Sequence, residues 1–302
     1  MQEYKAPPCQ MTKKNKVGNG GNGQVFLTND GKQVCKVFHI EGNLSREKIG
    51  RRYKRFCKEI QVQKTLAESI IGVLTVYDYS APENYSNKQP AWFTMPKAAS
   101  FNIYNGKSLQ DKLKDLIELG EIIEKLHMWD MAHRDIKPDN ILIYQNHVCL
   151  SDYGLVWIDG ENTLTQSPER IGPIRITPPE LEVCEDINRC DYKKSDVYLF
   201  AKVSWMYIKE DKNGFKGSYR RGAHQIYLEK ESYGCVSFEP FHLMMLGATK
   251  DNWEDRIDIS ECLKLLKQQL MIVCGELSNE IQERYRLQEE CLFFDQVVPP
   301  DY

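Results

Sequence analysis

No stretch of this sequence stays apolar long enough to cross a bilayer. The longest such segment, Val197 to Ile208, is interrupted by Lys202, and a span needs about 20 residues. Met1 to Lys16 has no apolar core between a charged start and a cleavage site, so no secretion signal is expected. The ten cysteines form no Cys-x-x-Cys pair and no His/Cys cluster at zinc spacing. They read as reduced, buried small side chains of a cytoplasmic protein. A strong excess of either charge is also missing: the net charge is −3 and the pI about 6.1. That balance argues against nucleic acid or a membrane surface as a partner. Internal repeats and long low-complexity linkers are absent too. What remains is a chain of 302 residues, 41% hydrophobic and 27% charged. Such a chain builds a sizeable core, as one large domain or as two lobes.

One polar stretch organises the rest: His133-Arg134-Asp135-Ile136-Lys137-Pro138-Asp139-Asn140. It follows a helical apolar pattern (Leu116, Leu119, Ile123, Leu126) and precedes a short apolar run, Ile141 to Ile143. It therefore reads as a loop held between a helix and a strand, where catalytic residues tend to be placed. Asp135 is a proton acceptor, Lys137 a fixed positive charge, Asn140 an amide oxygen for a hard cation, and Pro138 a stiffener. Phosphoryl transfer needs that combination.

The stretch matches the pattern H-R-D-x-x-x-x-N, and with it the chain resembles the eukaryotic-type protein kinases. The Lys137-Pro138 pair is similar to the Ser/Thr-specific branch. Other motifs follow in order. Gly18, Gly20 and Gly23, followed by Val25, give G-x-G-x-x-G-x-V. That spacing is weak by itself, but Val25 to Leu27 continues as a strand, where a Rossmann site would continue as a helix. Asn29 to Gly31 reads as a hairpin turn and Gln33 to Phe38 as the next strand.

The resemblance implies an α+β fold of two lobes, a small β-rich one with one main helix and a large helical one, with ATP between them. Its bounds are a tail (1–16), the small lobe and connector (17–98), the large lobe (99–270), and a C-terminal helix and tail (271–302). Lys36 is then the strand lysine on the α/β-phosphates, and Glu59, on a helix expected over Ser45 to Leu66, its partner. Glu47 competes for that role. The basic run on that helix, Arg46 to Lys58, reads as a solvated face, with a docking surface as the minority alternative. Val73 to Tyr79 and Trp92 to Met95 are expected strands. Met95 guards the adenine pocket, and the backbone of Ala98 hydrogen-bonds adenine. Asp152, in Asp-Tyr-Gly, and Asn140 hold Mg²⁺, while Asp135 and Lys137 carry the chemistry. The Pro178-Pro179-Glu180 element pairs through Glu180 with Arg256, and Asp196 braces the catalytic loop.

Thr163, Thr165 and Ser167 are candidate phosphosites, with Arg134 as receiver, although Glu169 allows a phosphate-independent arrangement. Pro173 falls where Ser/Thr kinases carry a Thr. The implied activity is transfer of the γ-phosphoryl of Mg-ATP to Ser/Thr hydroxyls of protein substrates, with autophosphorylation. The rivals are a pseudokinase that only binds nucleotide or partners and a kinase of small molecules. One last helix is expected from about Ile259 to near Cys291. The physiological substrate and the oligomeric state stay open.

Overall fold

Alternating apolar side chains near the start of the chain build an antiparallel sheet. The computed structural model describes residues 4–20, 23–40, 42–160, 175–182, 190–223, 225–229 and 236–294. In chain order these form β1 (Lys16–Gly20), β2 (Gly23–Leu27), β3 (Gln33–Phe38), α1 (Arg46–Ala67), β4 (Tyr79–Ser80), β5 (Trp92–Pro96) and β6 (Ala99–Ser100). Next come α2 (Leu109–Met128), β7 (Met131–Ala132), β8 (Ile141–Tyr144), β9 (His147–Leu150) and β10 (Trp157–Ile158). Then follow α3 (Pro179–Glu182), α4 (Tyr192–Lys209), α5 (Glu239–Ala248), α6 (Ile259–Val273) and α7 (Asn279–Phe294). The chain divides into two compact units, residues 1–101 with 139–166 and residues 102–138 with 167–302.

In the first unit the sheet runs β1-β2-β3-β5-β4, all antiparallel. The pleat of β3 sends Val34, Lys36 and Phe38 to one face and Cys35 and Val37 to the other. Both faces are buried. Val34 and Phe38 pack with Phe56 and Ile60 of α1 and with Phe93 and Met95, while Cys35 and Val37 join Phe26 and Trp92. Lys36 is thereby carried to the α1 side.

Helix α1 starts where Ser45 caps it, accepting from the Lys48 N–H at 3.3 Å. Its buried stripe includes Phe56, Glu59, Ile60 and Gln63, so two polar side chains share the inward face with apolar ones. The strand expected over Val73 to Tyr79 is shortened to Tyr79–Ser80, and Val73 makes only an isolated bridge to Leu150. Backbone bonds to β5 persist at Tyr77 N to Thr94 O (2.9 Å) and Thr94 N to Asp78 O (2.8 Å). Side chains add to them: Gln63 Nε2 donates to the Leu74 carbonyl at 2.8 Å, and Thr94 Oγ1 accepts from Asp78 N at 3.1 Å.

The second unit is helical. Ser108 caps α2 through the Asp111 N–H at 3.1 Å. Gly120 lets α2 and α6 close up, because a Cβ there would lie 2.7 Å from Leu263 Cδ2. The apolar run Val197 to Ile208 is the buried core of α4, with Lys202 inside it. The ammonium of Lys202 donates to the Phe215 carbonyl at 3.1 Å and to that of Gly217, and burial pulls its pKa down to about 6. The single helix expected from Ile259 is in fact two. Gly275 has φ 71° just past the end of α6, and Glu276 N returns to the Met271 carbonyl at 2.8 Å. This left-handed cap ends α6 at Val273. Among the described residues no helix is long and apolar enough to cross a membrane.

Candidate active site

In the first unit, the glycine motif is the β1–β2 hairpin itself: Gly18 pairs with Val25 and Gly20 with Gly23. Gly23 is sterically fixed, since a Cβ would fall 2.6 Å from the Val37 carbonyl oxygen. Val25 lies opposite Lys36 in the β2–β3 register and packs on the α1-side core.

Lys36 is 4% exposed. Its Nζ lies 2.5 Å from Glu59 Oε1 and 3.6 Å from Asp152 Oδ1. Burial pulls the ammonium toward neutrality, yet the charges of Asp152 and Glu59 outweigh it and hold the Lys36 pKa above its ordinary value. The Glu59 carboxyl is pushed up to about 7 by burial, with Lys36 pulling the other way and Asp152 adding to the rise. Glu47, the competing partner, is exposed and pairs with Arg51 at 3.2 Å.

Asn140 and Asp152 come together at the open end of the β8–β9 hairpin. Ile141 pairs with Leu150, and both the backbone N–H and the hydroxyl of Ser151 donate to the Asn140 carbonyl at 2.9 Å. Asp152 follows at once, in the left-handed region with φ 66°, a conformation Asp tolerates better than most residues. Tyr153 is fully buried beside it and donates to the Leu150 carbonyl at 2.9 Å. An amide oxygen and a carboxylate on adjacent backbone fit Mg²⁺, which takes one or two protein oxygens and completes its octahedron with phosphate and water. Met95 is buried in the α1-side core, and Ala98 packs half-buried against the same cluster.

In the second unit, residues 133 and 134 are stitched to the buried carboxylate of Asp196. Its Oδ2 accepts from His133 N at 2.6 Å and its Oδ1 from Arg134 N at 2.7 Å. His127 Nε2 stands 3.2 Å from Asp196 Oδ2. Arg134 takes φ 69° and lays its guanidinium over the Tyr192 ring, 4.4 Å from the centroid. The Asp135 side chain is 8% exposed, and Lys137 Nζ donates to its Oδ2 at 2.7 Å. A carboxylate with a fixed cation on a braced loop can orient a hydroxyl, take its proton and neutralise a transferring anion. Glu180 and Arg256 form the expected bidentate pair at 2.6 and 2.8 Å. Thr163, Thr165, Ser167, Glu169 and Pro173 lie outside the described residues.

Two polar contributors were not singled out in the sequence. Gln63 donates to Leu74 O and lies 3.7 Å from Met95 Sδ; its spacing of four from Glu59 puts both on one helical face and is the signal that finds it. His127 stands four residues beyond Ile123 on the inward stripe of α2, so the same periodicity marks it.

Residues 11–198 match the family model described as the protein kinase domain. Over 189 residues the chain is 28% identical to the serine/threonine-protein kinase PknD of Chlamydia pneumoniae, covering 54% of this chain and 19% of that protein. Over 206 residues it is 27% identical to the serine/threonine-protein kinase PknA of Mycobacterium tuberculosis (strain ATCC 25177 / H37Ra), covering 63% of this chain and 44% of that one. A receptor-like protein kinase of Arabidopsis thaliana is 25% identical over 202 residues, 62% of this chain and 28% of that protein. The chain spans less than half the length of each of these relatives.

Proposed function

This chain belongs to the protein kinase family, and we propose that it transfers the γ-phosphoryl group of Mg-ATP to serine and threonine hydroxyls of protein substrates, itself included. The observation that carries the reading is the buried ammonium of Lys36 held between Glu59 and Asp152. A cation kept charged out of water by two carboxylates is poised for an anionic ligand.

In the first unit, Lys36 holds the α- and β-phosphates, oriented by Glu59. Gly18, Gly20 and Gly23 carry no Cβ, so backbone N–H groups of the β1–β2 hairpin can come close to phosphate. Asn140 and Asp152 hold Mg²⁺, which when bound neutralises phosphate charge. Met95 and Ala98 bound the adenine side. In the second unit, Asp135 orients the acceptor hydroxyl and receives its proton, and Lys137 stabilises charge on the moving phosphoryl. Asp196 acts through the backbone, holding residues 133 and 134 where Asp135 is presented. The scattered cysteines of the sequence, with no Cys-x-x-Cys pair, suit a reducing compartment such as the cytoplasm.

The test is incubation of the purified chain with γ-labelled ATP, Mg²⁺ and a generic basic protein, beside Asp135→Asn, followed by phosphoamino-acid analysis. Label on Ser or Thr that vanishes in the variant, while ATP binding stays within about threefold, is the expected result. Equal turnover by the variant overturns the role of Asp135. ATP binding without any label in the unaltered chain, even after treatment with an activating kinase, overturns the activity.

A further inference from the structure

The face of the first sheet turned away from α1 carries a second arrangement that phosphoryl transfer does not use. Residues 5–9 cross this face as a strap. Lys5 O accepts from Trp92 Nε1 at 2.8 Å, Lys5 Nζ meets Asp78 at 3.2 Å, and Pro8 O accepts from Asn29 N at 2.9 Å. Cys9 ends the strap in an antiparallel bridge with Thr28. Its side chain, half-buried, packs against the small cluster of Phe26, Cys35, Val37 and Trp92. Within that cluster Cys35 is wholly buried, on the opposite face of β3 from Lys36. Cys9 thus packs, half-buried, on the cluster that holds the buried Cys35 beneath the strap.

We propose that Cys9 and Cys35 are a redox modification site, closing to a reversible disulfide when the protein meets a hydroperoxide. The neighbouring Cys35 thiol lowers the pKa of Cys9, against the opposing effect of burial, while Cys9 and burial raise that of Cys35. Cys9 is thus the attacking group, because the thiolate is the nucleophile. Its sulfur attacks one peroxide oxygen and the O–O bond breaks. The other oxygen leaves as water or an alcohol with the thiol's proton, and Cys9 becomes a sulfenic acid. The sulfur of Cys35 then attacks the Cys9 sulfur, the S–O bond breaks, and water leaves with the Cys35 proton. Two thiols and one hydroperoxide give one disulfide, one water or alcohol and one further water. A small dithiol reverses the bond by exchange. Bonding brings the sulfurs to about 2.0 Å, and the strap, anchored by a handful of polar contacts, is the side that moves.

The covalent loop so closed runs from Cys9 to Cys35. It contains the whole β1–β2 hairpin with Gly18, Gly20 and Gly23, and it ends one residue before Lys36. On the reading of that hairpin as the nucleotide cover, the disulfide is a clasp at its base. Formation of the bond does not depend on that reading.

The test exposes the full native chain to one equivalent of hydrogen peroxide, blocks remaining thiols with N-ethylmaleimide, and maps non-reduced tryptic peptides by mass spectrometry. The expected product joins the peptide 6–13 to the peptide 33–36 in at least half of the molecules, disappears with dithiothreitol, and is missing from Cys9→Ser. In Cys35→Ala, where the resolving thiol is gone, Cys9 should instead be trapped as sulfenic acid by dimedone. The proposal is overturned if Cys9 and Cys35 both remain alkylated while other cysteines oxidise, or if Cys9 is found joined to a different cysteine.

Discussion

Lys36 and Glu59 form a fully buried ion pair, with Nζ and Oε1 2.5 Å apart and side chains 5% and 1% exposed. The second oxygen of Glu59 is buried with no hydrogen-bond partner, so this is a pair kept at a cost rather than a source of stability. Removing only Glu59 strands the ammonium beside Asp152 at 3.6 Å. Glu59→Ala should lose about 3–5 kcal/mol in urea denaturation. Lys36→Met combined with Glu59→Leu should lose clearly less than the sum of the single changes. Strictly additive losses would show that the two side chains are not coupled. On the proposed function, both variants also weaken ATP binding, since the double variant restores packing and not the cation.

The Glu180–Arg256 clamp is more completely satisfied. Glu180 accepts both guanidinium bonds and a third from Ser195 Oγ at 2.7 Å. Arg256 Nε donates to Lys250 O at 2.7 Å, and the guanidinium lies 4.8 Å from the Tyr198 ring centroid. A planar fork is needed for this geometry, so Arg256→Lys is not conservative. It should cost about 2–4 kcal/mol and Arg256→Ala about 3–5 kcal/mol, as expected for breaking a buried pair. Melting temperatures of both variants within a degree of the parent would refute this structural role.

These pairs also show what the sequence makes legible. The flanks of Lys36 (Val34, Val37 and Phe38) imply a lysine inside an apolar wall, and burial then demands a carboxylate. Choosing Glu59 over Glu47 follows from how far along α1 each lies. The shortening of the strand expected at Val73 to Tyr79 was not legible, because the groups that hold this segment, the Gln63 side chain on Leu74 O and the backbone and hydroxyl of Thr94 on residues 77 and 78, come from distant elements. The break between α6 and α7 rests on the single left-handed residue Gly275, which interrupts an otherwise continuous helical pattern. Cys9 and Cys35 are brought together only by sheet topology, and spacing carries no trace of that.

The motif glycines are not equivalent in the fold. A Cβ on Gly23 would meet the Val37 carbonyl oxygen at 2.6 Å and a Phe56 ring carbon at 3.1 Å, whereas one on Gly18 would sit an ordinary 3.8 Å from Val25 Cβ. Gly23→Ala therefore forces β2 away from β3 and should cost about 1–3 kcal/mol by overpacking. Gly18→Ala should change stability by less than about 0.5 kcal/mol. Chemical denaturation of the two variants side by side checks the contrast, and equal losses would contradict it.

Helix α7 is docked through a carboxyl group whose titration falls near neutrality. Glu289 is 5% exposed and accepts from Tyr227 Oη at 2.8 Å. Tyr227 stacks on His242 with centroids 4.2 Å apart. Burial pushes Glu289 up to about 7, helped by the charges of Glu239 and Glu290 and opposed by the Tyr227 hydroxyl and Arg221. The folded pKa is thus above the unfolded value near 4.5, so the docked helix favours the protonated acid. Its contribution is complete below that unfolded value and is lost as pH rises through about 7. His242 does not share this titration, because burial and Arg221 hold its pKa down at about 3 and it stays neutral throughout. Hydrogen exchange over residues 279–290, corrected for intrinsic rates, should show at least several-fold less protection at pH 8 than at pH 5.5. In Glu289→Gln, which keeps an acceptor for Tyr227 and cannot ionise, the difference should vanish. A pH dependence that persists in that variant would move the titrating group elsewhere, and equal protection in the unaltered chain would mean that α7 is not held through Glu289.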